Sequence, residues 1–270
     1  MKIGDKMNIT ELFSDAFNYS VGDFGKLGIL TAFFVGYLVL YLISIASVAL
    51  NPVLALILLL ITILFAIVMI LIYWGYGLSV IKDTVLNKGF STQEETLPEF
   101  NLIDNIIDGL KVLILIIIYM IVPVIIGVIS FLILGLSFGS LANTQTLASG
   151  AMPALPAVSI FAIILIIIVQ LLFAFFGLLV NIAMARLAET GDFGSIFEFK
   201  EIFETISRIG WGKYILWYII LLIIEIVILV LALVPFVLLF PIGLIVLIFV
   251  PALLIVLEAR ALGLIYNEAK

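Results

Sequence analysis

Long apolar runs alternate with short polar stretches along this chain. The pattern predicts six membrane-crossing helices, near Leu27–Leu50, Val53–Val80, Val112–Leu134, Val158–Met184, Tyr214–Leu238 and Ile242–Leu257. Each is close to or beyond the roughly 20 residues needed to cross a hydrocarbon core. The last two come from one nearly continuous apolar run, so the chain must fold back there, and Pro235, Pro241 and Gly243 supply the turn. Asn51-Pro52 supplies the turn between the first two. The expected fold class is all-α: a single integral membrane domain over residues 1–270, built as a polytopic bundle of six transmembrane helices.

A second pattern precedes each odd-numbered span. A capping residue is followed three positions later by an acid, as in Asn8 with Glu11, Asn101 with Asp104, and Ser195 with Glu198. Such a pair satisfies free backbone N–H groups and suits the helix dipole, so three helix starts are signalled. Apolar residues then recur at helical spacing: Ile9, Leu12, Phe13, Ala16 and Phe17; Leu102, Ile103, Ile106, Ile107 and Leu110; Phe199, Ile202, Phe203, Ile206 and Ile209. Acids such as Glu11, Asp15, Asp104, Asp108, Glu201 and Glu204 lie opposite. These segments read as amphipathic helices lying in the membrane interface, each joined to its span by a glycine elbow beside a lysine, at Gly25, Gly109 and Gly212. The chain then divides into three repeats of interfacial helix plus transmembrane hairpin, at about residues 1–90, 91–190 and 191–270. Parallel repeats of this kind can pack around an axis along the membrane normal.

Charge sets the orientation. The 12 Lys and Arg fall before the first span, after the last, or in the second and fourth connections. Lys and Arg collect in cytoplasmic loops, so a cell-membrane location with both termini cytoplasmic is expected. Trp74, Trp211 and Trp217 lie near the same face as interfacial anchors. Composition agrees with a lipid solvent, with 66% hydrophobic and 11% charged residues against about a quarter charged in soluble domains. The first span is too long for a signal-peptide core and follows an acidic leader, so no cleavage is expected. There is no cysteine and no histidine, which removes disulfides, thiolate chemistry and the commonest metal ligand. No metal or cofactor is therefore expected, and no enzymatic activity. Glu94 and Glu95 lack the ligand spacing of a calcium loop and read as solvated. The acidic balance of the polar face makes nucleic acid an improbable partner and leaves membrane lipids, further copies of the chain or other membrane proteins.

The segments Leu97-Pro-Glu-Phe100, Asp108-Gly-Leu-Lys111, Ala185-Arg-Leu-Ala-Glu-Thr-Gly191, Arg208-Ile-Gly-Trp-Gly-Lys-Tyr214 and Glu258-Ala-Arg-Ala-Leu-Gly-Leu-Ile-Tyr266 resemble the landmarks of domain of unknown function 4013. That is a mostly archaeal family of small polytopic membrane proteins. The resemblance implies membrane placement and carries no substrate, reaction or active site with it.

Within the spans the outstanding residue is Glu225, about 15 Å from the inner end of span five at 1.5 Å per residue. Ionisable groups at such depth commonly mark ion or proton paths. The competing reading is structural: a desolvated carboxyl keeps its proton and donates a hydrogen bond to a neighbouring helix, with Gln170 of span four the obvious partner. Gly177, Asn181 and Ala185 fall on one stripe of span four, as close helix packing with a hydrogen bond from Asn181 requires. Glu258 and Arg260 end span six and are expected to snorkel or pair across the boundary. Gly75 and Gly77 serve close helix contact rather than phosphate binding. The leading functional expectation is a non-enzymatic membrane scaffold that organises lipid or partners through a cytoplasmic collar. The alternative is a small-solute or ion transporter or channel using Glu225 and Gln170. An intramembrane enzyme is disfavoured because no second carboxylate is evident in the spans.

Overall fold

The computed structural model describes residues 8–86, 96–141 and 155–270. Lys2, Lys6, Lys88, Glu94, Glu95 and most of the uncharged connection after Gly135 lie outside the described residues, or have side chains that do. In chain order the helices are α1 (Ile9–Ser20), α2 (Phe24–Val48), α3 (Pro52–Leu86), α4 (Leu102–Leu141) and α5 (Leu155–Thr190). A short 3-10 helix (Phe193–Phe197) is followed by α6 (Phe199–Ile209), α7 (Trp211–Leu238) and α8 (Phe240–Asn267). Six of these, α2, α3, α4, α5, α7 and α8, are long and apolar enough to cross a membrane. No strand occurs among the described residues. The chain is an all-helical, multi-pass membrane protein.

Local chemistry sets the helix ends. Asn8 caps α1 through a bond from the Thr10 amide, and Asn101 caps α4 by accepting from Ile103 and Asp104. Asn51 accepts from Val53 and Leu54, and Pro52 fills the first helical position, where a missing N–H costs nothing. The third expected cap is different. Asp192, not Ser195, caps the 3-10 helix by accepting from Gly194, and Ser195 lies inside it with its hydroxyl donating to the Asp192 carbonyl. Glu198, the expected acid of that pair, instead occupies the cap position of α6 without a side-chain capping bond.

The elbows also differ from expectation. Only α1 and α6 are separate short helices; the Asn101–Leu110 segment runs straight into span three as part of α4. Gly109 therefore sits mid-helix, and Gly25 and Gly212 lie in the first turns of α2 and α7. The chain turns at Gly22-Asp23 and at Gly210, whose φ of 99° suits a residue without a Cβ. The fold-back between α7 and α8 is made at Leu239, with Gly243 against the Phe236 backbone.

Helices α3, α5 and α8 run past the expected span ends, to Leu86, Thr190 and Asn267. Hydropathy marks only the stretch facing lipid, whereas these extensions are held by packing. Ile81, Val85, Leu187, Leu262 and Ile265 are all buried.

The chain forms two compact units. The first holds residues 1–114 and 182–270, and the second Leu115–Asn181. The core of the first is α8 with α1, α2, α3 and α7 packed around it. Two glycine contacts fix its closest crossings. A Cβ on Gly75 of α3 would stand 2.6 Å from the Asn105 carbonyl carbon, and one on Gly109 of α4 would stand 2.6 Å from that of Leu71. Each helix thus presses its glycine against the other's backbone, four residues apart on both. Gly263 of α8 plays the same part against Thr84 of α3, where an added Cβ would lie 2.6 Å from the Thr84 Cβ. Higher in this unit the Ser44 and Thr62 hydroxyls are 2.9 Å apart, tying α2 to α3. In the second unit Gly127 of α4 lies against Phe173 and Val169 of α5, and Tyr119 and Ala162 are buried.

Candidate functional site

Two polar groupings in the first unit are candidates, one at the charged helix ends and one inside the spans. The charged grouping centres on the last turns of α8. Arg260 is only 2% exposed. A buried guanidinium needs a matched anion, since an unpaired buried charge is among the costliest features a fold can hold. Asp15 of α1 supplies it at 2.8 Å, Thr84 Oγ1 lies 3.5 Å from the guanidinium, and the Tyr19 ring covers it with its centroid 4.4 Å away. Asp15, expected on the acidic face of α1, meets Arg260, while Phe17 of the apolar face is 44% exposed on the protein surface.

Further ties radiate from the same helix end. Glu268 pairs with Lys213 of α7 at 2.6 Å, and Lys270 with Glu189 of α5 at 2.9 Å. Tyr266 donates to Glu189 as well. Asn267 donates to the Thr84 carbonyl at 3.0 Å, and Lys270 to that of Val85 at 3.1 Å. One helix terminus is thus fastened to α1, α3, α5 and α7. A separate pairing joins Arg186 of α5 to Glu198 and, at 3.9 Å, to Glu201 of α6.

The second grouping lies within the spans. Glu225 is half-buried on α7, and Glu258 is half-buried on α8, which packs against α7. Glu258 is expected at the end of span six; α8 continues past it to Asn267, so Glu258 sits inside a helix long and apolar enough to cross a membrane. The signal was present in the sequence, since Ala259 to Tyr266 stays apolar apart from Arg260. Among the described residues neither carboxylate has an ion pair. Glu258 also lines a cavity of about 330 Å³ between α2, α3 and α8, together with Phe34, Met69, Tyr73, Trp74 and Leu254. A second cavity, of about 310 Å³, lies between α2 and α3 beside Ser44 and Pro52 and is apolar but for that hydroxyl.

Gln170 belongs to the second unit, where its side chain is exposed on α5. Along the stripe of α5, Gly177 is half-buried, Asn181 is 7% exposed and Ala185 is fully buried. Of the three tryptophans, Trp217 is wholly buried, stacked on Tyr214 with ring centroids 5.5 Å apart. No group of three or more acidic side chains that could hold a metal ion occurs among the described residues.

The model of one family, described as a protein of unknown function (DUF4013), matches residues 57–237, about two-thirds of the chain and four of the six long helices wholly or in part. No curated protein and no solved structure matches the chain. The matched stretch takes in the glycine crossing of α3 and α4, Arg186, Lys213 and Glu225, and the chain belongs to this DUF4013 family.

Proposed function

We propose that the protein is a non-enzymatic scaffold of the cell membrane, with both termini in the cytoplasm, that organises lipid or partner proteins through its cytoplasmic helix ends. The observation that carries this reading is the set of ties that fastens α1, α3, α5 and α7 to the last turns of α8. A transporter must part its halves at alternate faces, and cross-ties made by one terminus to four helices oppose that motion. They suit a platform of fixed shape. The short helices α1 and α6 lie on that platform, each with one face buried and acids such as Glu11 and Glu204 exposed on the other. The three-part organisation belongs to the same reading, with α1, the start of α4 and α6 as its cytoplasmic members and the middle one continuous with its span.

Copurification followed by mass spectrometry of proteins and lipids tests it. The parent should retain a defined set of components, and Glu201→Lys with Glu204→Lys, which reverses the exposed charge of α6, should lose part of that set while staying folded. An unaltered set in the charge-reversed variant would contradict the reading. The transport alternative draws on one specific observation, two carboxylates, Glu225 and Glu258, on the packed helices α7 and α8, neither with an ion pair among the described residues.

A further inference from the structure

The cavity beside Glu258 combines features that the scaffold reading does not use. At about 330 Å³ it is within the range of small-ligand sites. Three aromatic side chains line it, Phe34, Tyr73 and Trp74, with the polarisable thioether of Met69 and a single carboxylate, Glu258. The Tyr73 hydroxyl donates to the Leu30 carbonyl at 3.0 Å, so the phenol is already held in place as part of the wall. Glu258 has no ion pair and no side-chain hydrogen bond among the described residues.

We propose that this cavity is a binding site for a lipophilic organic cation, a single delocalised or alkylated positive charge on an apolar body. Aromatic faces attract a cation through their quadrupole, most strongly where water is excluded, and Trp does so best. One carboxylate supplies the matching charge, and the apolar lining takes the body of the ligand. The occupant is a free amphiphilic cation rather than a zwitterionic lipid headgroup, because the lining holds no Lys or Arg to meet a phosphate. The site stands apart from the scaffold reading, since it requires binding and no movement across the membrane.

Equilibrium binding of tetraphenylphosphonium to the purified full-length protein in a non-ionic detergent tests the assignment, with uncharged triphenylphosphine oxide as competitor. The parent should bind the cation saturably, and the neutral compound should not displace it at equal concentration. Glu258→Gln, which keeps size and removes the charge, should bind at least about tenfold more weakly, as truncating one partner of a desolvated charge pair does. Trp74→Leu should weaken binding while leaving thermal stability near that of the parent. The proposal is overturned by a parent that shows no saturable binding, by equal displacement with the neutral compound, or by a folded Glu258→Gln that binds like the parent. If Glu258→Gln does not fold, the competition on the parent and the Trp74 variant still decide.

Discussion

Replacing Gly75 by alanine tests the closest helix crossing in the first unit. The new Cβ would stand 2.6 Å from the Asn105 carbonyl carbon and 2.8 Å from its Cα, whereas non-bonded carbons rest about 3.5–4.0 Å apart. The shortfall is roughly 1 Å, and the obstructing atoms are backbone, which cannot swing aside as a side chain would. Helices α3 and α4 must separate, and overpacking of this kind costs about 1–3 kcal/mol, with backbone obstruction toward the upper end. Alanine returns about 1 kcal/mol through its better helix propensity. The net loss is about 2 kcal/mol, or roughly 4–8 °C of melting temperature for a domain of this size. Gly109→Ala should behave alike, since its Cβ would lie 2.6 Å from the Leu71 carbonyl carbon. The double variant should lose less than the sum, because one separation of the helices relieves both clashes. Gly28→Ala is the control: nothing lies within 4 Å of the added Cβ, so only the propensity gain remains. Thermal unfolding in detergent, followed by fluorescence, reads all four. A Gly75→Ala protein as stable as the Gly28→Ala control would refute the crossing.

Three further outcomes follow from the same geometry. Asp15→Ala should lower thermal stability by more than Glu11→Ala, by about 1–3 kcal/mol after allowing for the partial exposure of Asp15, because it removes a carboxylate 2.8 Å from the buried Arg260 guanidinium; Asp15→Leu with Arg260→Met should recover most of that loss. Thr62→Val removes the bond to Ser44 between α2 and α3 and should cost about 0.6 kcal/mol, a typical value for such a pair inside a membrane, again by thermal unfolding. Single cysteines at positions 51 and 200 should label from opposite sides in oriented vesicles, 200 from the cytoplasm and 51 from outside; labelling of both from one side would reject the assigned orientation.

Much of this architecture could be read from residue order. Six apolar runs became six helices, the Asn51-Pro52 turn and the Asn8 and Asn101 caps formed as their chemistry dictates, and Gly75 proved to be a close-packing position. What escaped notice depended on tertiary pairing. Nothing local to α1 shows that Arg260, far along the chain, will pair with Asp15. Gly109 looks like an elbow beside Lys111 until Leu71 of another helix is placed against it. Helix α8 continues beyond its apolar run, through Glu258 and Arg260, because protein packing carries it on to Asn267. The cavity that Glu258 lines is formed by side chains of three helices distant in sequence. Glu225 itself stood out because an acid is conspicuous in an apolar run; the residues around it come from helices distant in sequence.

The scaffold reading is tested most directly by flux into proteoliposomes containing the purified protein, followed with a pH-sensitive dye under an imposed proton gradient and with tetraphenylphosphonium as a second solute. The account predicts rates equal to those of protein-free vesicles for both, unchanged in Glu225→Gln and Glu258→Gln. Sustained flux of either solute through the parent, abolished in a folded variant of either glutamate, would contradict it.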